Sequence, residues 1–198
     1  MPTVKLDPLR RFSEVLSVAR ATPQIIEPTA MMLATVDSEG RPSARVVLLK
    51  DIDERGLVFY TNLDSRKGAQ VRAHAEVACT FWWGALETQV RFEGRAEQVS
   101  GPEADAYFAS RPRGSQLGAW ASDQSQPLRA REDLEARLLE VTARYEGKPV
   151  PRPPRWGGFL VTPRAIEFWK GQPSRLHHRE LYTRESPGAA WSMTLLNP

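Results

Sequence analysis

The sequence predicts a mainly β protein, an antiparallel barrel with flanking helices. Three observations support this: many short apolar runs at strand spacing separated by turn residues, one amphipathic helical stretch ahead of them, and a helical insertion among them. At 198 residues the chain fits one domain, 1–198, and can bury a real core. Its 41% hydrophobic and 26% charged residues are ordinary for a globular protein.

The elements follow in order. Asp7-Pro8 starts a helix over about 7–22, with Leu9, Phe12, Leu16 and Ala19 at helical spacing until Thr22-Pro23 stops it. "AMMLATVD" and "SARVVLLKD" read as a hairpin with Gly40 in the turn, and "GLVFYTN" and "EVACTFWW" as two further strands. Between those two, "DSRKGAQVRAHA" reads as a short helix capped by Asp64 or Ser65. A long strand, "ETQVRFEGRAEQVS", follows. The insertion over about 102–146 is mostly helical, its clearest stretch carrying Leu128, Leu134, Leu138, Val141 and Tyr145 near helical spacing. After a Pro-rich connector, "GFLVTP", "AIEFWKG", "RELYTRE" and "AWSMTLL" read as the final strands, over about 156–198.

A net charge of +3 is mild and suits a small anionic ligand; with no basic tail, no nucleic-acid partner is expected. Cys79 is alone, which excludes an internal disulfide framework and a cysteine-rich zinc site, so no metal is expected and a reducing compartment is. No stretch approaches the ~20 apolar residues that cross a bilayer, and the first residues lack a signal-peptide pattern. The expected location is cytoplasmic, with no membrane partner.

The polar residues suggest a pocket for phosphate. In "ARVVLLKD" a run of apolar residues, read as buried, is framed by Arg45 and Lys50, whose odd spacing turns them to opposite faces, toward two anionic groups or simply toward solvent. Arg66 and Lys67 occupy the first turn of a helix, where cations oppose the dipole unless an anion sits there; a solvated basic turn is the plain alternative. Tyr107, Arg111 and Ser115 lie a helical turn apart and can converge on one oxyanion, provided the helix survives Pro112. In "SRLHHRELY", strand alternation places Arg175, His177 and Arg179 on one face and Leu176 and His178 on the other.

Taken together, "DPLRRF", "PTAMMLATVD", "RVVLLK", "VFYTNLDSRK", "YFASRPRGSQLGAWAS", Gln124-Ser125, "WGGF", "IEFWKG" and "RLHHR" resemble, in order and from about Asp7 to Pro198, the pyridoxamine 5'-phosphate oxidase family. The resemblance implies an FMN-binding split β-barrel that forms a homodimer with sites at the subunit interface. It implies FMN contacts from Arg45, Val46, Val47, Leu48, Leu49 and Lys50, from Tyr60, Thr61, Arg66 and Lys67, and from Gln89, Gln124, Ser125, Trp169 and Arg179. It places the substrate phosphate on Lys50, Tyr107, Arg111 and Ser115 and the substrate ring under Arg175 and His177, the two catalytic candidates, with His177 a candidate for proton handling. The implied reaction oxidises pyridoxine or pyridoxamine 5'-phosphate to pyridoxal 5'-phosphate with dioxygen, releasing hydrogen peroxide and, from the amine, ammonia. A flavin oxidase of another pathway, such as phenazine biosynthesis, and a non-catalytic flavin or pyridoxal-phosphate binding protein are the alternatives. His178 stands where the family usually has Asp, and the matches lack the basic, Tyr-containing segment that precedes them in many relatives, which implies altered support and a looser cover over substrate.

Overall fold

The computed structural model describes residues 7–198. Asp7 caps α1 (Pro8–Ala21) by accepting the Arg10 N–H at 3.1 Å, and Pro8 occupies the first turn, where its missing N–H is harmless. The α1 face of Leu9, Phe12, Leu16 and Ala19 is buried, with the Phe12 ring 4.8 Å from both Phe81 and Phe92. β1 (Ala30–Val36) and β2 (Pro42–Leu48) form the expected hairpin, and Gly40 turns it at φ 82°. Then come β3 (Asp51–Ile52), β4 (Leu57–Asn62), α2 (Arg66–Ala73), β5 (Glu76–Trp83) and β6 (Thr88–Gln98). The insertion holds α3 (Gly101–Ser110), α4 (Arg113–Ala121) and α5 (Arg131–Arg144). The chain closes with β7 (Trp156–Lys170), β8 (His178–Thr183) and β9 (Ser192–Leu195).

The strands make one antiparallel sheet in the order β2-β1-β5-β6-β7-β4-β3, with β8 beside the far part of β7 and β9 beyond it. The two ends of this path meet: β2 touches β4, and the Lys50 N–H donates to the Val58 carbonyl at 2.8 Å. The sheet thus curls into a barrel around the Phe12, Phe81 and Phe92 core, with α1 packed on it. A second cluster, Phe108, Leu117, Val141, Val150 and Trp156, joins α3–α5 to the start of β7.

Four sequence expectations need correction. "GFLVTP" and "AIEFWKG" are one 15-residue strand, because the register shift at Glu93/Gly94 absorbs Pro163, which has no N–H to give the ladder. Gly94 is required there: a Cβ would lie 2.2 Å from the Thr162 carbonyl oxygen. The β2 apolar run is not buried throughout; β2 ends the sheet path and alternates, leaving Val46 58% exposed while Leu49 is buried. The last insertion helix starts at Arg131, so Leu128 lies outside it and, like Leu138, is exposed. Finally, Arg111-Pro112 breaks the helix that was to carry Tyr107, Arg111 and Ser115, since the residue before proline is driven to extended backbone (Arg111 φ −72°, ψ 148°). Among the described residues no helix is long and apolar enough to cross a membrane.

Candidate functional site

The α2 N-terminus gathers cations. Ser65 caps the helix by accepting the Gly68 N–H at 3.3 Å, which puts Arg66 and Lys67 in the first turn. Lys67 Nζ donates to Thr61 Oγ1 (3.1 Å) and Gln124 Oε1 (2.7 Å). Arg45 reaches the same place from β2, donating to Thr35 Oγ1 (2.5 Å), Ser43 Oγ (2.7 Å) and Gln70 Oε1 (3.1 Å). Burial, and then the Arg66 charge, holds Arg45 below its ordinary range; burial, and then the Arg45 charge, does the same to Lys67. Among the described residues none of the three cations pairs with a carboxylate. Three unneutralised cations at a helix N-terminus are the donor set a phosphate dianion needs, so the residues present fit the FMN phosphate.

Thr61 and Gln124 connect this cluster to a cavity of about 380 Å³ between β4 and α3–α4. Lys50, Tyr107, Arg111 and Ser115 all line it. The break at Pro112 therefore does not scatter the predicted phosphate set; it folds α4 back so that Ser115 faces the same space. Arg111 lies 4.8 Å over the Trp156 ring and 5.5 Å over Phe108, and its Nη1 is buried without a partner, an orphan donor that an anion in the cavity would satisfy. Burial lowers its proton affinity, and burial raises that of Tyr107. Tyr60, Tyr107 and Trp156 stack nearly parallel, Tyr60 on Tyr107 at 4.0 Å and Tyr60 on Trp156 at 5.3 Å. Burial, with the Glu103 and Asp51 charges, pushes the Tyr60 phenol up to about 12, so it remains a neutral wall.

The other predicted residues lie elsewhere. Gln89, Trp169 and Arg179 form one row across β6, β7 and β8. Tyr60 pairs with Gly158 at the start of β7, whereas this row crosses Trp169 at its end, roughly 36 Å away along the strand at ~3.3 Å per residue. One chain therefore does not bring both groups to one mononucleotide. Arg179 donates to the buried Glu167 (2.7 Å), so it offers an oriented fork rather than a free charge. Of Val46 to Leu49, Val47 and Leu49 pack on the barrel core while Val46 is exposed, and Ser125, next to Gln124, is exposed at φ 73°.

The "RLHHR" run is not a strand as predicted. Pro173–Arg175 is a tight turn with Ser174 and Arg175 both left-handed (φ 60° and 64°), and β8 starts only at His178. The turn still separates the histidines: the His177 ring lies 4.5 Å from Trp169 on the Arg179 row, while His178 belongs to the next row, Thr88–Lys170–His178, and lines a hollow against Arg11 and Val15 of α1. His177 Nδ1 accepts the Gln172 backbone N–H at 3.2 Å. Sequence reasoning missed Gln70, Trp156 and Glu167 as supports of the site; Trp156 and Glu167 stand inside "WGGF" and "IEFWKG", and Gln70 has no motif around it.

Residues 19–146 match the family described as pyridoxamine 5'-phosphate oxidase, and residues 156–198 match the pyridoxine 5'-phosphate oxidase C-terminal dimerisation region. The pyridoxine/pyridoxamine 5'-phosphate oxidase of Myxococcus xanthus is 58% identical over 97% of this chain and 92% of its own. That of Rubrobacter xylanophilus is 56% identical over 97% and 87%. Among solved structures, PhzG from Burkholderia lata 383, in complex with tetrahydrophenazine-1-carboxylic acid, is 34% identical with a TM-score of 0.91 over 100% of this chain and 94% of that one. A pyridoxamine 5'-phosphate oxidase-related, FMN binding protein of Nostoc punctiforme shares the fold at 20% identity, with a TM-score of 0.77 over 98% and 100%. With the fold and nearly the whole length in agreement, the chain belongs to the pyridoxamine 5'-phosphate oxidase family, and its cofactor is FMN.

Proposed function

We propose that the protein oxidises pyridoxine 5'-phosphate or pyridoxamine 5'-phosphate to pyridoxal 5'-phosphate, with dioxygen as acceptor, hydrogen peroxide as product, and ammonia released from the amine. The observation that carries this reading is the doubling of anion sites: the Arg45, Arg66 and Lys67 cluster, and beside it the cavity where Arg111 keeps a buried Nη1 without a partner. Cofactor and substrate each bring one phosphate, and the chain has a place for both.

FMN supplies the two-electron acceptor. Lys50, Tyr107, Arg111 and Ser115 hold the substrate phosphate and so fix where the carbon to be oxidised lies. The stacked Tyr60, Tyr107 and Trp156 make the wall that keeps water out. Gln89, Trp169 and Arg179, with Arg175 and His177, come from a second copy of the chain, so the working unit is a homodimer with sites at its interface. Arg175 and His177 then close over the substrate ring, where His177 offers its Nε2–H as a donor, Nδ1 being occupied.

The likeness to PhzG, bound to a carboxylic acid that has no phosphate, supports a second reading, oxidation of a reduced phenazine acid. Oxygen uptake and peroxide release by the purified holoprotein separate the two. The expected result is turnover of the phosphorylated vitamers, little of their unphosphorylated forms, and an Arg111→Ala variant whose KM for the phosphorylated substrate rises about ten- to a hundred-fold. Turnover of the phenazine acid alone sinks the vitamin reading, and no oxygen uptake with any substrate points to a carrier.

A further inference from the structure

Arg45 is oriented entirely by neutral acceptors. Besides Thr35, Ser43 and Gln70, its guanidinium donates to the Leu33 carbonyl at 3.2 Å. The same helix that supplies Gln70 does use a carboxylate elsewhere, since Arg72 pairs with Asp64 at 3.5 Å. The carboxamide of Gln70 is 5% exposed; its Oε1 accepts from Arg45 and from Thr35 Oγ1 (2.7 Å), and its Nε2 is buried with no partner. A guanidinium has only donors, so the amide must turn its oxygen toward Arg45 and leave the NH2 group orphaned. Glutamate at this position would keep both hydrogen bonds, abolish the orphan donor and add an ion pair. What it would take away is the free charge of Arg45.

We infer that Gln70 is a positioning residue that aims the Arg45 guanidinium at the space before α2 while leaving its charge available to a phosphate dianion. This rests on the flavin reading above. Without the ligand, the three cations repel one another; with it, none has first to break an internal ion pair. The neutral cradle thus gives up some stability of the ligand-free protein in favour of discrimination for a phosphorylated flavin.

The test compares the apo forms of the parent, Gln70→Glu and Ser43→Asp by titration with FMN and with riboflavin, and by thermal melting. Ser43→Asp delivers a carboxylate to the same Arg45 nitrogen from β2, at a partly exposed position, and gives the result should Gln70→Glu fail to fold. The parent is expected to prefer FMN. Each variant is expected to lose about ten- to a hundred-fold in FMN affinity, to keep riboflavin affinity within about three-fold, and to melt no lower than the parent as an apoprotein. A folded variant that weakens both flavins equally, or that keeps the parent's preference for FMN, overturns the role of Gln70 alone. A parent that binds both flavins equally overturns that role together with the phosphate site itself.

Discussion

The imidazole of His177 accepts a backbone N–H at Nδ1, so its neutral ring carries the proton on Nε2. His177→Gln keeps an N–H donor near that edge, whereas His177→Asn and His177→Ala do not. We expect the Gln variant to retain clearly more peroxide production than the other two, which fall about ten- to a hundred-fold with flavin content unchanged. Equal loss in all three would instead make His177 a proton acceptor. Arg175→Ala is expected to impair turnover to the same extent as His177→Ala. His178 faces α1 on the other side of the sheet, and His178→Ala should leave both turnover and flavin content within a few-fold of the parent. A His178→Ala as damaging as His177→Ala would bring His178 into the site. Strand alternation assigned the histidines to their faces for the wrong reason: what turns His177 toward Trp169 is the pair of left-handed residues Ser174 and Arg175, neither of them glycine or asparagine, and so unannounced in the sequence.

Helix α1 is tied to β8 by one clamp. Arg11 donates to both carboxylate oxygens of Glu180 (2.6 and 2.9 Å) and to Tyr182 Oη (2.8 Å), and lies 4.2 Å over the Phe168 ring. The hydrogen bond from Arg11 is the main cause that holds the Glu180 carboxyl below its ordinary value near 4.5. A depressed carboxyl contributes stability that is complete above the ordinary value and is lost as pH falls through the folded one. Glu180→Gln should therefore cost about 1 kcal/mol at neutral pH, since the pair is partly exposed, and in urea melts the difference should shrink progressively as pH falls below the ordinary carboxyl value and through the lower folded one. A difference that stays constant with pH would assign the clamp to packing. At this scale most of the fold was legible: the capped start of α1, the Gly40 hairpin and the strand cores follow from local spacing. The continuity of β7 through Pro163 was not, because the bulge that accommodates it, with Arg164 left out of the register, is defined only by how β7 pairs with the distant β6, and neither was Gln70, whose meaning depends on Arg45 arriving from β2.

For the molecule as a whole, the separation of Lys67 from Arg179 makes completion by a second copy testable by mixing. Lys67→Ala and Arg179→Ala should each be poorly active alone. Unfolded and refolded together, they should recover about a quarter of the parental activity, because half the dimers are mixed and each of those has one intact site. No recovery, with mixed dimers present, would place both residues in one chain's site. The two walls of the cavity also differ in a way that bears on how its selectivity can change. A Cβ on Gly158 would meet the Tyr60 ring at 2.7 Å, so the sheet side is packed to its limit. Gly118, which lines the helix side, has open space around the position of its missing Cβ. New substrate preferences in this scaffold, by drift or by design, are therefore expected to arise from α4, where a side chain can grow into the cavity without disturbing the barrel beneath it.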